Sequence, residues 1–205
     1  MQSTLLCLLS KLGFILLGVV LLTSCENTYN PLVEYEQLNP ATIFETPKPQ
    51  PSPTYSTKQL SRGQYLIALI GCGSCHTDGA LVGAPNMSRL LAGSDTGIAY
   101  SSPFVDANPG VVYPANLTPD METGLGSWGM DRLVLMIRQG TTEHSARSIP
   151  IMPWPAYSKI SNTDALAIAA YLKSLPPVRH QVPANVRRGQ KASAAFVHFG
   201  LYQSR

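Results

Sequence analysis

The sequence predicts an all-α domain of three to four helices, and three observations lead there. Apolar residues recur at helical spacing in three well-separated stretches. A Cys-x-x-Cys-His sequence directly follows the first of them. Charged residues are sparse, at 13%, against 44% hydrophobic residues, and Gly and Pro are frequent. That mixture suits long loops wrapped around something that itself supplies core.

The first helix is expected from Thr57 to Gly71, with Leu60, Gly63, Ile67 and Ile70 along one face. A second covers Met130 to Gln139, turns Leu133, Met136 and Ile137 inward, and ends at Gly140. A third begins after Ser161-Asn162-Thr163-Asp164, which fits a capping box, runs to Leu175 and is stopped by Pro176-Pro177. Between Met87 and Trp128 the chain is rich in Gly, Pro, Asn and Ser, which predicts a long loop. Its strand-like Gly110-Val111-Val112-Tyr113 is a candidate hairpin arm.

The two ends read differently from this middle. Leu12 to Leu22 form an apolar run behind a single Lys11, shorter than the ~20 residues a spanning helix needs. It suits the core of an export signal. The run closes in Leu22-Thr23-Ser24-Cys25, which resembles a bacterial lipobox. That resemblance implies cleavage before Cys25 and lipidation of its thiol. The diacylated residue would tether the chain, since each buried CH₂ contributes ~0.8 kcal/mol. An uncleaved anchor helix is the competing reading.

Residues 26 to 56 hold six prolines, four of them alternating at Pro47, Pro49, Pro51 and Pro53. Such a run favours extended polyproline II and reads as a spacer. Four domains follow: residues 1–24 a lipoprotein signal peptide, 25–56 a lipidated linker, 57–178 the helical domain, and 179–205 a basic tail.

The formal net charge of +3 argues against nucleic acid as a partner. The charge is uneven, with four acids and no base from Glu26 to Glu45 and six bases and no acid from Tyr171 to Arg205. Two solvated ends explain this more simply than orientation at a partner or a membrane.

Of the four cysteines, Cys7 leaves with the signal and Cys25 becomes the anchor. The remaining two stand in Cys72-Gly73-Ser74-Cys75-His76, the form of a c-type haem attachment. Two thiols three residues apart can add to the two vinyl groups on one porphyrin edge. The next residue, His76, then lies under the iron. A thioredoxin-like couple would want a βαβ context, and zinc would want two further soft ligands, which the remaining cysteines do not supply. One motif implies one covalent haem c.

Three helices around this motif, followed by a late Met, resemble a class I cytochrome c from about Thr57 to Val178. Several stretches are similar to the cytochrome c domains of membrane-bound bacterial dehydrogenase subunits. They are Arg62-Gly63-Gln64-Tyr65-Leu66, Asn116-Leu117-Thr118-Pro119-Asp120 with Thr123-Gly124-Leu125-Gly126 and Trp128, Ile151-Met152-Pro153-Trp154 with Tyr157, and Ala170-Tyr171-Leu172-Lys173-Ser174-Leu175-Pro176-Pro177-Val178. Such subunits often carry three haems, so the resemblance reaches the domain and not the whole subunit.

It implies a class I fold with a long loop insertion between the haem motif and the axial Met, and a close crossing of the first and last helices at Gly63 and Tyr171. It also implies Met152 as second iron ligand, which the stiffening Pro150 and Pro153 support. Met87, Met121, Met130 and Met136 then serve packing or turns, and His144 is the main rival. Ala84-Pro85-Asn86-Met87 resembles the stretch whose Pro carbonyl accepts the axial imidazole N–H, here Pro85, with Met87 a core residue. Trp154 and Tyr157 are candidates for the haem edge or a propionate, and Arg89 and Arg147 for propionate pairing. His180 and His198 are expected in exposed loop or tail.

A His/Met-ligated iron leaves no open face, which points to single-electron transfer between redox partners rather than catalysis. The partner would be a membrane dehydrogenase or a quinol-oxidising assembly of the alternative complex III kind. The place is the bacterial cell envelope, lipid-anchored, with the domain in the periplasm or outside the cell. A haem enzyme or gas sensor with a labile sixth ligand is the alternative. It would need a polar distal pocket that no His/Arg pair here supplies.

Overall fold

The computed structural model describes residues 45–140 and 151–200. The export run, Cys25, His144 and Arg147 lie outside the described residues. Among the described residues five α-helices appear: α1 (Thr57–Leu69), α2 (Cys72–His76), α3 (Met130–Gln139), α4 (Trp154–Tyr157) and α5 (Asn162–Lys173). None of the described helices is long and apolar enough to cross a membrane.

The helix ends follow from local chemistry. The Ser56 hydroxyl accepts from the Gln59 N–H and starts α1, and Ser161 does the same for α5 through the Asp164 N–H. Gly140, at φ 71°, ends α3. Ile70 caps α1, and Gly71, at φ 70°, turns the chain into α2. Only a residue without Cβ adopts that left-handed conformation cheaply.

The core lies between α1, α3 and α5. Leu66 and Ile67 from α1, Leu133 and Ile137 from α3, and Ala165, Ile168, Tyr171 and Leu172 from α5 are buried together with Leu91, Leu117 and Leu125 from the loop. Gly63 meets α5 so closely that a Cβ there would strike the Ala167 carbonyl oxygen and lie 2.6 Å from Cβ of Tyr171. Tyr171 is fully buried and its hydroxyl donates to the Pro47 carbonyl at 2.5 Å. The Gln64 amide donates to the same oxygen, and the Gln50 N–H donates to the Ser174 carbonyl. The domain end of the proline-rich stretch is therefore docked along α1 and α5.

The all-α expectation needs correction. Strands β1 (Gly97–Ala99), β2 (Val111–Val112) and β3 (Phe196–His198) form a sheet in the order β2-β1-β3. β1 pairs antiparallel with β2, Ile98 opposite Val112, and parallel with β3, Ile98 opposite Val197. The loop supplies the predicted strand at Val111, and the C-terminal stretch supplies the third strand.

His180 is likewise not an exposed tail residue. It is buried, with Nδ1 2.8 Å from the Ala92 carbonyl and Nε2 3.1 Å from Asp95 Oδ1. His198, on β3, meets the Phe104 ring edge-on. Leu91 holds a left-handed φ of 61°, with its N–H on the Thr77 hydroxyl and its carbonyl accepting from Leu117 N–H. Those bonds fix a conformation that an L-residue otherwise avoids.

The turn before α3 is held by Asp120, whose Oδ1 accepts from the N–H groups of Glu122 and Thr123 and from the Thr123 hydroxyl. These donors hold the Asp120 carboxyl below its usual range. Lys173 closes the other side, its ammonium donating to the carbonyls of Leu125, Gly126 and Trp128 at 3.3, 2.7 and 3.1 Å.

Two outcomes follow. Gly-to-Ala within a helix ordinarily gains up to ~1 kcal/mol, but at Gly63 the obstacle is backbone. Gly63→Ala is expected to destabilise by about 2–3 kcal/mol or more, read from chemical denaturation of the intact protein. For Asp120, a depressed folded pKa means its contribution is full above the unfolded value of ~3.9 and vanishes as pH falls through the folded value. The melting-temperature difference between native protein and Asp120→Asn should therefore shrink on acidification through that range; a constant difference would show that the turn owes nothing to the charge.

Candidate functional site

Helix α2 is one turn long, which fixes its chemistry. Residues three and four apart share a helix face, so Cys72, Cys75 and His76 emerge together. They emerge into an apolar cavity of about 320 Å³. Ile67 and Ile70 of α1, Ile168 and Leu172 of α5, Met136 and Ile137 of α3 and Leu125 and Trp128 of the turn line it. Ile98, Val112 and Tyr113 bring the sheet to it, and Asn185 the C-terminal stretch. Met152, Trp154 and Tyr157 line it from the segment that leads into α4.

The electrostatics are those of a water-poor site. Burial, with Cys75 alongside, pushes the Cys72 thiol up to about 12, and burial raises Cys75 as well. Both thiols are free of any disulfide. Burial lowers the His76 pKa and thereby favours the neutral imidazole. Nδ1 of His76 lies 2.7 Å from the Ala115 carbonyl oxygen. An oxygen acceptor there requires the proton on Nδ1, which leaves the Nε2 lone pair for a metal. Burial also pushes the Tyr157 phenol up to about 12.

Pro85 does not take the role expected of it. The acceptor belongs to Pro114-Ala115-Asn116-Leu117, on the far side of the loop insertion. The 84–87 stretch is occupied elsewhere: the Asn86 N–H donates to the Asp78 carbonyl, and Met87 is 54% exposed rather than core. A similar Pro-x-Asn or Pro-Asn pattern stands at both places, and nearness to His76 favoured the wrong one.

Met121 is 68% exposed and Met130 accepts a contact from the Tyr55 hydroxyl, while Met136 and Met152 both face the cavity. Arg89 does not line it. Ile98, Pro114, Ala115, Ile168 and Asn185 are among the lining residues that sequence reasoning missed. Pro114 and Asn116 on either side were the available signal for Ala115.

Whether the residues fit a covalent haem is decided by one further observation. Trp154 Nε1 is buried on this cavity with no hydrogen-bond partner. A buried donor without an acceptor carries a desolvation cost, and a carboxylate at the cavity edge would relieve it. Two thiols, a neutral imidazole, a thioether and this donor around one apolar space suit a haem with its propionates. Among the described residues no cluster of three or more His, Cys, Asp and Glu side chains forms a competing metal site.

No protein-family model matches the chain. It is 34% identical over 135 residues to a nicotinate dehydrogenase subunit of Pseudomonas putida, covering 66% of this chain and 10% of that one. It is 31% identical over 124 residues to the fructose dehydrogenase cytochrome subunit of Gluconobacter japonicus, covering 60% and 23%. Against the cytochrome c subunit of the quinone-dependent alcohol dehydrogenase of Gluconobacter oxydans the figures are 32% over 123 residues, 60% and 23%. The chain thus spans less than a quarter of each of these relatives. Over this stretch the chain is similar to the cytochrome c subunits of bacterial fructose, alcohol and gluconate dehydrogenases.

Proposed function

We propose that this chain is a monohaem c-type cytochrome lipoprotein that passes single electrons from a dehydrogenase or quinol-oxidising complex to a downstream acceptor. The observation that carries the proposal is the convergence of Cys72, Cys75, His76 and Met152 on one apolar cavity. A single Cys-x-x-Cys-His motif accounts for one haem.

A haem held there supplies a one-electron iron couple. Cys72 and Cys75 would attach it as thioethers, and His76 would hold the iron through Nε2. Ala115 holds the imidazole by its Nδ1–H, which raises its basicity. Met152 would supply the second protein ligand, and its neutral thioether would favour the ferrous state. Trp154 Nε1 would donate to a propionate, and the apolar lining would exclude water. Ligation by both His76 and Met152 would leave the iron no position for substrate. This separates the carrier from a haem enzyme or gas sensor. Cys25 tethers the chain to an envelope membrane. Similarity to dehydrogenase cytochrome c subunits supports a dehydrogenase as electron donor.

In the native protein, acid–acetone treatment should leave haem on the chain, and Cys72→Ala or Cys75→Ala should release part or all of it. The oxidised protein should show a weak far-red sulfur-to-iron band. Met152→Ala should abolish that band, lower the potential and speed carbon monoxide binding. Full extraction of native haem would reject covalent attachment. Rapid carbon monoxide binding by the native protein, with a spectrum indifferent to Met152→Ala, would favour the enzyme or sensor.

The anchor is tested separately. A fatty-acid analogue should label the native protein, and Cys25→Ser should release the domain from membranes or leave an unprocessed precursor. Failure of the native chain to take the label rejects the lipobox.

A further inference from the structure

We propose that Asn116 is the positioning residue for the His76 imidazole, an inference that rests on His76 being an axial iron ligand. Asn116 follows Ala115, whose carbonyl accepts the His76 Nδ1–H at 2.7 Å. Its side chain is buried, at 1% exposure, and every bonding position on the amide is used. Nδ2 donates to the Val178 carbonyl at 2.7 Å and to the Thr123 hydroxyl at 3.1 Å. Oδ1 accepts from the Thr118 N–H at 2.9 Å and the Thr118 hydroxyl at 2.7 Å. A backbone N–H can only donate and a carbonyl can only accept, so the amide orientation is fixed without ambiguity.

The geometry explains why this matters at His76. The Ala115 carbonyl and the Asn116 nitrogen share one rigid peptide plane. That plane swings by rotation about φ of Asn116 and ψ of Ala115. Four bonds to the Asn116 amide anchor its Cβ and so hold the Cα end of that plane in place. Elsewhere the strip is held only at its edges, by the Ser94 N–H on the Pro114 carbonyl and the Leu117 N–H on the Leu91 carbonyl. The anchor points are themselves fixed. The Thr123 hydroxyl donates to Asp120 and accepts from the His180 N–H, and the Val178 N–H donates to the Thr118 hydroxyl. Asn116 thus joins the turn and the segment after α5 to the one acceptor that aims the imidazole.

A loosened acceptor makes the imidazole a weaker donor, which favours the ferrous state. The experiment uses the haem-loaded protein. It reads the reduction potential, solvent exchange of the His76 Nδ1–H by ¹⁵N NMR, and the denaturation midpoint. Asn116→Ala should raise the potential and speed Nδ1–H exchange by about tenfold, the equivalent of one hydrogen bond. Thr123→Val, which removes one of the four bonds, should shift both in the same direction but less, and Thr123→Ser should restore native values. If Asn116→Ala fails to accumulate, the Thr123 pair decides. Loss of stability with unchanged potential and exchange would overturn the proposal and leave Asn116 a staple. Native protein whose haem extracts, or whose His76 does not bind iron, defeats the attachment reading before any variant is compared.

Discussion

Gly63 of α1 meets the backbone of Ala167 and Cβ of Tyr171 on α5 so closely that no side chain fits between the two helices there. Everything downstream inherits its geometry from that crossing. It sets the direction in which α1 ends, and therefore where Gly71 turns the chain and which way α2 presents Cys72, Cys75 and His76. It also brings Ile168 and Leu172 opposite Ile67 and Ile70, and these four side chains form one wall of the cavity. A larger residue at position 63 would push the helices apart and open that wall, whatever the chemistry of the thiols.

A second constraint works on the opposite side. The imidazole of His76 comes from a short helix, but its orienting acceptor comes from a loop far along the chain. Loops of this length hold position only when their polar groups are satisfied internally. Asn116, Thr118, Thr123 and Asp120 do this for one another, and Lys173 does it for the carbonyls that the turn leaves over. The loop behaves as a rigid wall of the site because of these bonds, not because of any regular secondary structure.

The helices were legible because their signals are local. Ser161 caps where the capping pattern predicts, Gly140 and the Pro176-Pro177 pair stop what they should, and the periodic apolar residues face the core. The thiols and His76 were legible from spacing, and Met152 from its place in a proline-stiffened loop; all four line the cavity. Ala115 was not legible, because a backbone carbonyl leaves no side-chain signature and Pro85-Asn86, nearer to His76, resembles Pro114-Ala115-Asn116. The third strand was hidden for a related reason. Phe196-Val197-His198 is too short to announce itself, and its partner, β1, is distant in the chain. His180 looked like a solvated tail residue because its two acceptors, Ala92 and Asp95, are contributed by a remote turn.

The parallel pairing of β1 with β3 has a kinetic meaning. It closes a loop of about a hundred residues, whereas the capped helices form from near neighbours, and contacts of such long range form slowly. On topological grounds the sheet is the last part of the domain to close. Until it does, the side of the cavity bounded by Ile98, Val112 and Asn185 stands open while α1 and α2 already display the two thiols. The order of assembly built into the chain thus leaves a window in which a bulky, flat group can enter edge-on before β3 closes on β1.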